Sequence, residues 1–364
     1  MVVVWLVASL PVSAQQTFQL SGLLSGSAAW LDEDPPAFEV SPLPELDPGF
    51  ELRLGAEWYP HPMFRLHADL LARDERPDRR REQLGIVEAY AEANLRPRNQ
   101  RFRIKAGAFF LPTSREHVDA FWKNPYTINA SALNSWFGEE FRPIGIDVDY
   151  HFSGLTLGAT AYRGNDAFGS IIVDRGWTLN DNVALLDERI DLFPGAITSI
   201  SPELDGRTGW AGRFRWSNPS TLFQITHIDN EADGLQYGDI ITWQTPFWVV
   251  GFEHTRGDWT FIGESGWGTT VARTSYANFE AEMDASYVLI SRRFSASRLS
   301  ARLESFYTDY IPEFLPGYSE YRTEALTVAW FWTPPGRIRA GIELSATEEE
   351  ARMALHAEYA FSLR

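Results

Sequence analysis

Apolar and polar residues alternate with a period of two along most of the chain. In residues 63–74, Phe64, Leu66, Ala68 and Leu70 fall on one face and Arg65, His67 and Asp69 on the other. In residues 84–96, Val87, Ala89, Ala91, Ala93 and Leu95 oppose Glu88, Tyr90, Glu92 and Asn94. Phe102, Ile104 and Ala106 alternate with Arg101, Arg103 and Lys105, and Ile146, Val148 and Tyr150 with Asp147, Asp149 and His151. Successive side chains of a strand point to opposite faces, so this pattern predicts strands and not helices. Further strands are expected at 17–30, 50–59, 155–162, 209–216, 221–230, 247–256, 258–267, 279–294, 298–310, 322–332, 338–347 and 351–363, about sixteen in all.

The connections alternate in length. Short turns rich in Pro, Gly, Asn and Ser lie at 60–62, 97–100, 153–154, 218–219, 257–258, 295–297 and 333–336. Between them come longer segments at 31–49, 75–83, 111–143, 164–208, 231–246, 268–278 and 311–321, and a short one at 348–350. A soluble sandwich has no reason to sort its connections in this way. A transmembrane antiparallel β-barrel does, because its periplasmic turns are short and its extracellular loops long. The expected fold is therefore all-β: one barrel of about 16 strands whose apolar positions meet lipid and whose polar positions meet the lumen.

Composition narrows the picture further. The chain of 364 residues is 44% hydrophobic and 14% aromatic. Beyond the N-terminus no stretch approaches the ~20 apolar residues of a spanning helix, so any membrane crossing is made by strands. Residues 1–14 have an apolar run from Val2 to Leu10, then Pro11 and a small-residue stop at Val12-Ser13-Ala14. They read as a signal peptide, with residues 15–364 as the single barrel domain. The formal charge of −17 argues against nucleic acid as a partner. The absence of cysteine removes disulfides and thiolate metal sites. Trp58, Tyr59, Trp216, Trp259, Trp267, Tyr307, Tyr310, Trp330 and Trp332 stand near strand ends, as interfacial girdles would.

Residues 87–181 contain VEAYAEANL, KAGAFFLPTSRE, NPYTINASALNSWFGEEFRPIG and TAYRGNDAFGSIIVDRGWTLND. Through these stretches the chain resembles the proteobacterial outer-membrane porin-like proteins, including the sixteen-stranded and phosphate-selective porin groups. The closing segment from His356 to Arg364 is similar to their terminal strand, except that its last residue is Arg and not aromatic. The resemblance implies an outer-membrane location and passive diffusion of small polar or charged solutes. It also implies contact with outer-membrane lipid and lipopolysaccharide, a homotrimer and no cofactor. It implies that the third long loop folds inward and narrows the lumen, which would place Trp122, Tyr126, Asn134, Trp136, Glu139, Glu140 and Arg142 at a constriction.

The inward positions of the strands add the candidate pore lining: Arg65, Arg103, Lys105, Arg213, Arg215 and Arg302 beside Glu88, Glu92, Asp147 and Asp149. Charges of both signs in one lumen create a transverse field that aligns dipolar solutes. The competing reading is that they neutralise one another in salt bridges. The first and fourth loops are acidic and would gather cations at the outer mouth, or bridge divalent ions to lipopolysaccharide.

Catalysis has little support in the sequence. The seven histidines are scattered, and no metal-binding pair, G-x-S-x-G elbow or phosphate-cradling loop is present. Ser114 with His117, or Asp149 with His151, are the pairs a rim hydrolase would use. The alternative to an open pore is a plugged or adhesive barrel, in which the fourth loop, about 45 residues long, fills the lumen and docks a partner.

Overall fold

The computed structural model describes residues 17–33, 46–74, 82–97, 100–138, 141–179, 183–192, 196–199, 201–274, 278–312, 319–348 and 350–363. Residues 1–14, expected to be a signal peptide, and the candidate residues Glu139 and Glu140 lie outside the described residues.

Twenty strands are described: β1 (Thr17–Glu33), β2 (Leu46–His61), β3 (Phe64–Arg73), β4 (Leu84–Leu95), β5 (Gln100–Ala108), β6 (Ile144–Phe152), β7 (Leu155–Arg163), β8 (Arg189–Leu192), β9 (Ala196–Ser199), β10 (Gly209–Ser217), β11 (Thr221–Asp229), β12 (Gln236–Tyr237), β13 (Ile240–Ile241), β14 (Phe247–Arg256), β15 (Trp259–Arg273), β16 (Asn278–Phe294), β17 (Ser297–Pro312), β18 (Ser319–Trp332), β19 (Ile338–Ala346) and β20 (Glu350–Leu363). Sixteen of them form one closed antiparallel barrel, with β20 pairing back onto β1. Closure leaves no unpaired edge, which a sheet in hydrocarbon requires. The remaining four make two small ribbons, β8–β9 and β12–β13, inside the fourth and fifth loops.

Period-two alternation turns one face of every strand outward. That belt includes Ile146, Leu157, Val288, Leu303 and Leu344, all more than half exposed. Aromatic rings gather at its margins. Register places Phe18 beside Trp58 and Trp216 beside Phe223 at the short-turn end, and Trp248 beside Trp267 at the long-loop end. Tyr59 departs from the expected girdle: its hydroxyl donates to Glu57 at 2.7 Å, on the lumenal face.

The short turns carry the expected chemistry. Ser153 and Gly154 have φ of 47° and 82°, the paired left-handed conformation that continues strand twist through a two-residue hairpin. A Cβ on Gly154 would stand 2.6 Å from the Ser217 carbonyl oxygen, so glycine is required there.

The structure corrects one face assignment. Val87 was expected on the lipid side with Ala89, but it is fully buried inside the barrel. The β3–β4 register jumps from Asp69↔Glu88 to Leu70↔Ile86, leaving Val87 as the extra residue of a bulge. A bulge shifts the alternation by one, so Ile86 takes the outward place and Val87 joins Leu71 within. The long-loop ends also run further than the pattern predicted: β1 reaches Glu33, β2 begins at Leu46 and β15 reaches Arg273.

Candidate functional site

The third loop, leaving β5 and returning to β6, lies inside the barrel. Its strongest anchor is Arg302 on β17, fully buried, whose guanidinium donates to Glu116 at 2.7 Å and to Glu304 at 2.7 Å. The same guanidinium reaches Thr127 Oγ1 at 2.9 Å and the carbonyls of Asn129 and Ala130 at 2.9 and 3.0 Å. A planar five-donor fork suits such a set of divergent acceptors.

Three strand carboxylates hold the loop, two of them through its backbone. Glu304 accepts from the Ala132 N–H at 2.8 Å, and Glu343 on β19 from the Ile128 N–H at 2.5 Å and the Asn129 amide at 2.6 Å. Glu264 on β15 accepts from Asn134 Nδ2 at 2.9 Å and from the Tyr287 hydroxyl. On β2, Arg53 donates to the Phe121 carbonyl at 2.8 Å, and at the short-turn end Arg339 donates to that of Asn124 at 2.8 Å. The loop is thus pinned along the wall formed by β15–β17, β19 and β2. Buried backbone groups removed from water need such partners, because each left unmade costs roughly 1–3 kcal/mol.

The facing wall carries most of the predicted lining residues. Arg213 is 2.5 Å from Asp147 and 2.7 Å from Asp149, and Arg103 pairs with Asp149 as well. Arg65 bridges Glu57 at 3.0 Å and Glu92 at 2.9 Å. Lys105 lies 4.5 Å from the centre of the Tyr90 ring. Glu88 accepts from the Phe110 N–H at 2.7 Å, where the third loop begins. Asp147, Asp149 and Arg213 are buried in this network, whereas the side chains of Arg65 and Arg103 keep 24% and 22% of their surface exposed. Arg215, at the short-turn end of the same wall, makes a single hydrogen bond among the described residues, 3.4 Å to Thr156 Oγ1. Arg302 belongs to the opposite wall, beneath the loop.

The loop residues named from the sequence divide differently. Trp122 stacks on Phe110 with centroids 4.6 Å apart and donates to the Gly138 carbonyl at 2.6 Å. Tyr126, Asn134, Trp136 and Arg142 are all buried. Tyr126 lies under Arg298, with 4.8 Å between guanidinium and ring, and Asn134 ties Glu116 to Glu264. These side chains fasten the loop and are not presented to a gap. Arg142 sits at a seam, its guanidinium 3.4 Å from the centre of the Phe110 ring and donating at 3.0 Å to the Ala184 carbonyl of the fourth loop.

That fourth loop was not legible as structure in the sequence. It contains a helix, α1 (Phe168–Arg175), and it crosses the long-loop end of the lumen. Phe168 stacks on Trp136, centroids 4.3 Å apart and planes 7° from parallel. Trp177 and Phe247 meet Trp136 edge-on at 5.6 and 5.3 Å. These contacts belong to one apolar cluster that takes in Phe109 and Phe141 from the third loop's ends, Ile171 and Ile172 from α1, and Met283 and Phe306 from the barrel wall. Trp177 also donates to the Tyr307 carbonyl at 2.8 Å. On the other side Val183 and Leu185 pack with Leu71, Val87 and Phe110. Arg73 donates to the Val183 carbonyl at 2.9 Å and pairs with Glu188. Gly85 permits this approach, since a Cβ there would fall 2.9 Å from Leu185 Cδ1.

At the base of this loop, burial pushes the Asp166 carboxyl up to about 6. The Leu204 N–H at 2.6 Å opposes the shift, and the Asp205 and Glu203 carboxylates add to it. The three carboxylates present oxygens within 4.8 Å of one another. A carboxyl whose folded value lies above its unfolded one, ~3.9, favours the docked loop when protonated. The docked fourth loop therefore gains stability as pH falls through about 6, up to a limit near the unfolded value. Mobility of a spin label placed in this loop is expected to be lower at about pH 5 than at about pH 7.5, and Asp166→Asn is expected to remove the difference.

The pairs considered for catalysis have other work. Ser114 Oγ accepts the N–H groups of Glu116 and His117 at 3.0 and 3.1 Å and lies 3.0 Å from His117 Nδ1, a buried hydroxyl-capped turn. His151 contacts Thr156 Oγ1 at 2.8 Å, while Asp149 is engaged by arginines.

No family model and no curated protein matches this chain. Solved structures do. The trimer form of OmpT, an outer membrane protein of Vibrio cholerae, superposes with a TM-score of 0.60 at 10% identity, covering 95% of this chain and 99% of that one. The anion-selective porin from Comamonas acidovorans gives 0.54 at 10% identity over 95% and 100% of the two chains. Salmonella typhi OmpF in complex with daunomycin gives 0.55 at 10% identity over 94% and 97%. At such identities the likeness is one of fold, and it agrees with the apolar belt and the closed sheet: the chain has the sixteen-stranded transmembrane barrel fold of outer-membrane porins.

Proposed function

We propose that this protein is an outer-membrane porin through which small polar or charged solutes diffuse passively, along the gap between the third loop and the wall of β3–β7 and β10. The fourth loop covers that gap at its outer end and lifts from β3 and β4 for solutes to pass. One observation carries the reading: the third loop is fastened to one wall by Arg302, Glu304 and Glu343, while Arg65 and Arg103 stay partly exposed on the other. Diffusion needs a polar, narrow path that binds nothing tightly, and paired charges of both signs supply one without a cofactor. Residues 1–14 are the export signal. The barrel assembles as a homotrimer, its long loops facing lipopolysaccharide, and it performs no catalysis.

Conductance in planar bilayers tests the proposal. Discrete open steps are expected, and Arg103→Gln should shift ion selectivity toward cations while Asp149 keeps Arg213 at 2.7 Å. Unchanged selectivity removes Arg103 from the passage. A second reading, a permanently plugged barrel that docks a partner through its fourth loop, is favoured by the apolar cluster that joins both loops to the wall. It predicts no open steps even after the fourth loop is shortened.

A further inference from the structure

At the short-turn end, away from both loop anchors, a pocket of about 290 Å³ opens between the ends of β4–β7 and β10. Its basic lining is Arg96, Arg101, His151 and Arg215, and no carboxylate lines it. Positions 101, 151 and 215 lie two residues along their strands from Arg103, Asp149 and Arg213, which meet inside the barrel, so they share the lumenal face. Arg96 and Arg101 are exposed, whereas His151, Thr156 and Arg215 are at least partly buried.

Elsewhere on this wall the arginines are matched by acids. Here they are not. Among the described residues Arg96, Arg101 and Arg215 make no ion pair, and the nearby Asp149 is already held by Arg213 at 2.7 Å and by Arg103. Arg101 is steadied by Asn94 Oδ1, 2.9 Å from its Nε, and Arg215 rests on Thr156, its buried Nε making no hydrogen bond to the described residues. The arginine of the third loop nearest in sequence to its entry, Arg115, has its own carboxylate, Glu253, at 3.9 Å. Guanidinium groups converging on a small wet pocket without counter-charge form a receptor for an oxyanion, which they bind through paired N–H donors.

We infer that this mouth holds a binding site for a small soluble oxyanion, built by Arg96, Arg101, Arg215 and His151. A solute carrying a carboxylate, sulfate or phosphate group would pause there between the periplasm and the gap. The site depends on the barrel and not on whether the barrel conducts.

Sulfate, titrated calorimetrically into the folded full-length barrel in a maltoside detergent, is the probe, against chloride at matched ionic strength. Saturable binding of one sulfate is expected, with no matching chloride heat. Arg101→Gln combined with Arg215→Gln should weaken it about ten-fold or more, the loss of a charge-assisted hydrogen bond per arginine. Arg293→Gln, at the opposite side of the same end, should leave it unchanged. Heat-modifiable migration of each variant confirms that the barrel is folded. Equal affinity in the double variant, or no saturable sulfate binding by the folded wild type, overturns the inference.

Discussion

Replacing residues 177–192 by a four-residue Gly-Ser linker is expected to raise single-channel conductance several-fold and to lengthen openings. The segment contributes Trp177, Leu179, Val183, Leu185 and Glu188 to the cover over the lumen. Its contacts are long-range: Trp177 reaches β17 through the Tyr307 carbonyl, and Glu188 reaches β3 through Arg73. None of the sixteen barrel strands loses a hydrogen-bonded neighbour in the deletion, because β7 pairs directly with β10. A shortened loop also makes the cost of closing its ends only slightly smaller, a change well under that of the contacts removed. Planar-bilayer recordings of the two proteins check this, and equal conductance would place the barrier to ions elsewhere.

The second large effect is expected at Arg302. Removing one member of a buried ionic cluster leaves the others uncompensated, at a cost of roughly 3–5 kcal/mol. Arg302→Met would strand Glu116 and Glu304, both buried, and would also free Thr127 Oγ1 and two loop carbonyls. The barrel's sheet does not depend on this side chain, so the loss falls on docking of the third loop. The variant should fold as a barrel, show a protease-sensitive third loop and give noisy, less selective openings. Adding Glu116→Gln and Glu304→Gln to Arg302→Met removes the stranded charges and should restore part of the protection. Protease resistance equal to wild type in the single variant would show that the loop is held by its apolar contacts alone.

The barrel was legible because one physical requirement, lipid outside and water or packing inside, repeats along every strand. Ile146 and Asp147, or Leu303 and Glu304, announce their faces without any knowledge of their neighbours. The bulge at Val87 escaped because a phase shift is visible only as two consecutive apolar residues, Ile86-Val87, which a lipid-facing strand also tolerates. The interior was harder. Trp136, Asn134 and Arg142 have the chemistry of a constriction, yet what decides their place is a set of partners on β14, β15 and the fourth loop. Their sequence separations carry no pattern. One signal was present: Glu264, Glu304 and Glu343 all stand at inward positions, and buried carboxylates call for hydrogen-bond donors, here supplied by a loop. The helix α1 and the β8–β9 ribbon lie in a segment whose apolar residues have no strand period and acquire meaning only against the lumen.

In the proposed mechanism the fourth loop closes the lumen by resting on β3 and β4, and solutes pass when it lifts. A Cβ placed on Gly85 lies 3.2 Å from Leu185 Cβ, close to the separation of about 3.5–4.5 Å that a disulfide spans, in a chain with no cysteine of its own. Single-channel conductance of the Gly85→Cys, Leu185→Cys double variant, before and after reduction, measures that motion directly. Closed channels are expected while the bond is formed and open steps once dithiothreitol breaks it; identical conductance in both states, with the cross-link verified by mass, would show that the fourth loop does not gate the lumen.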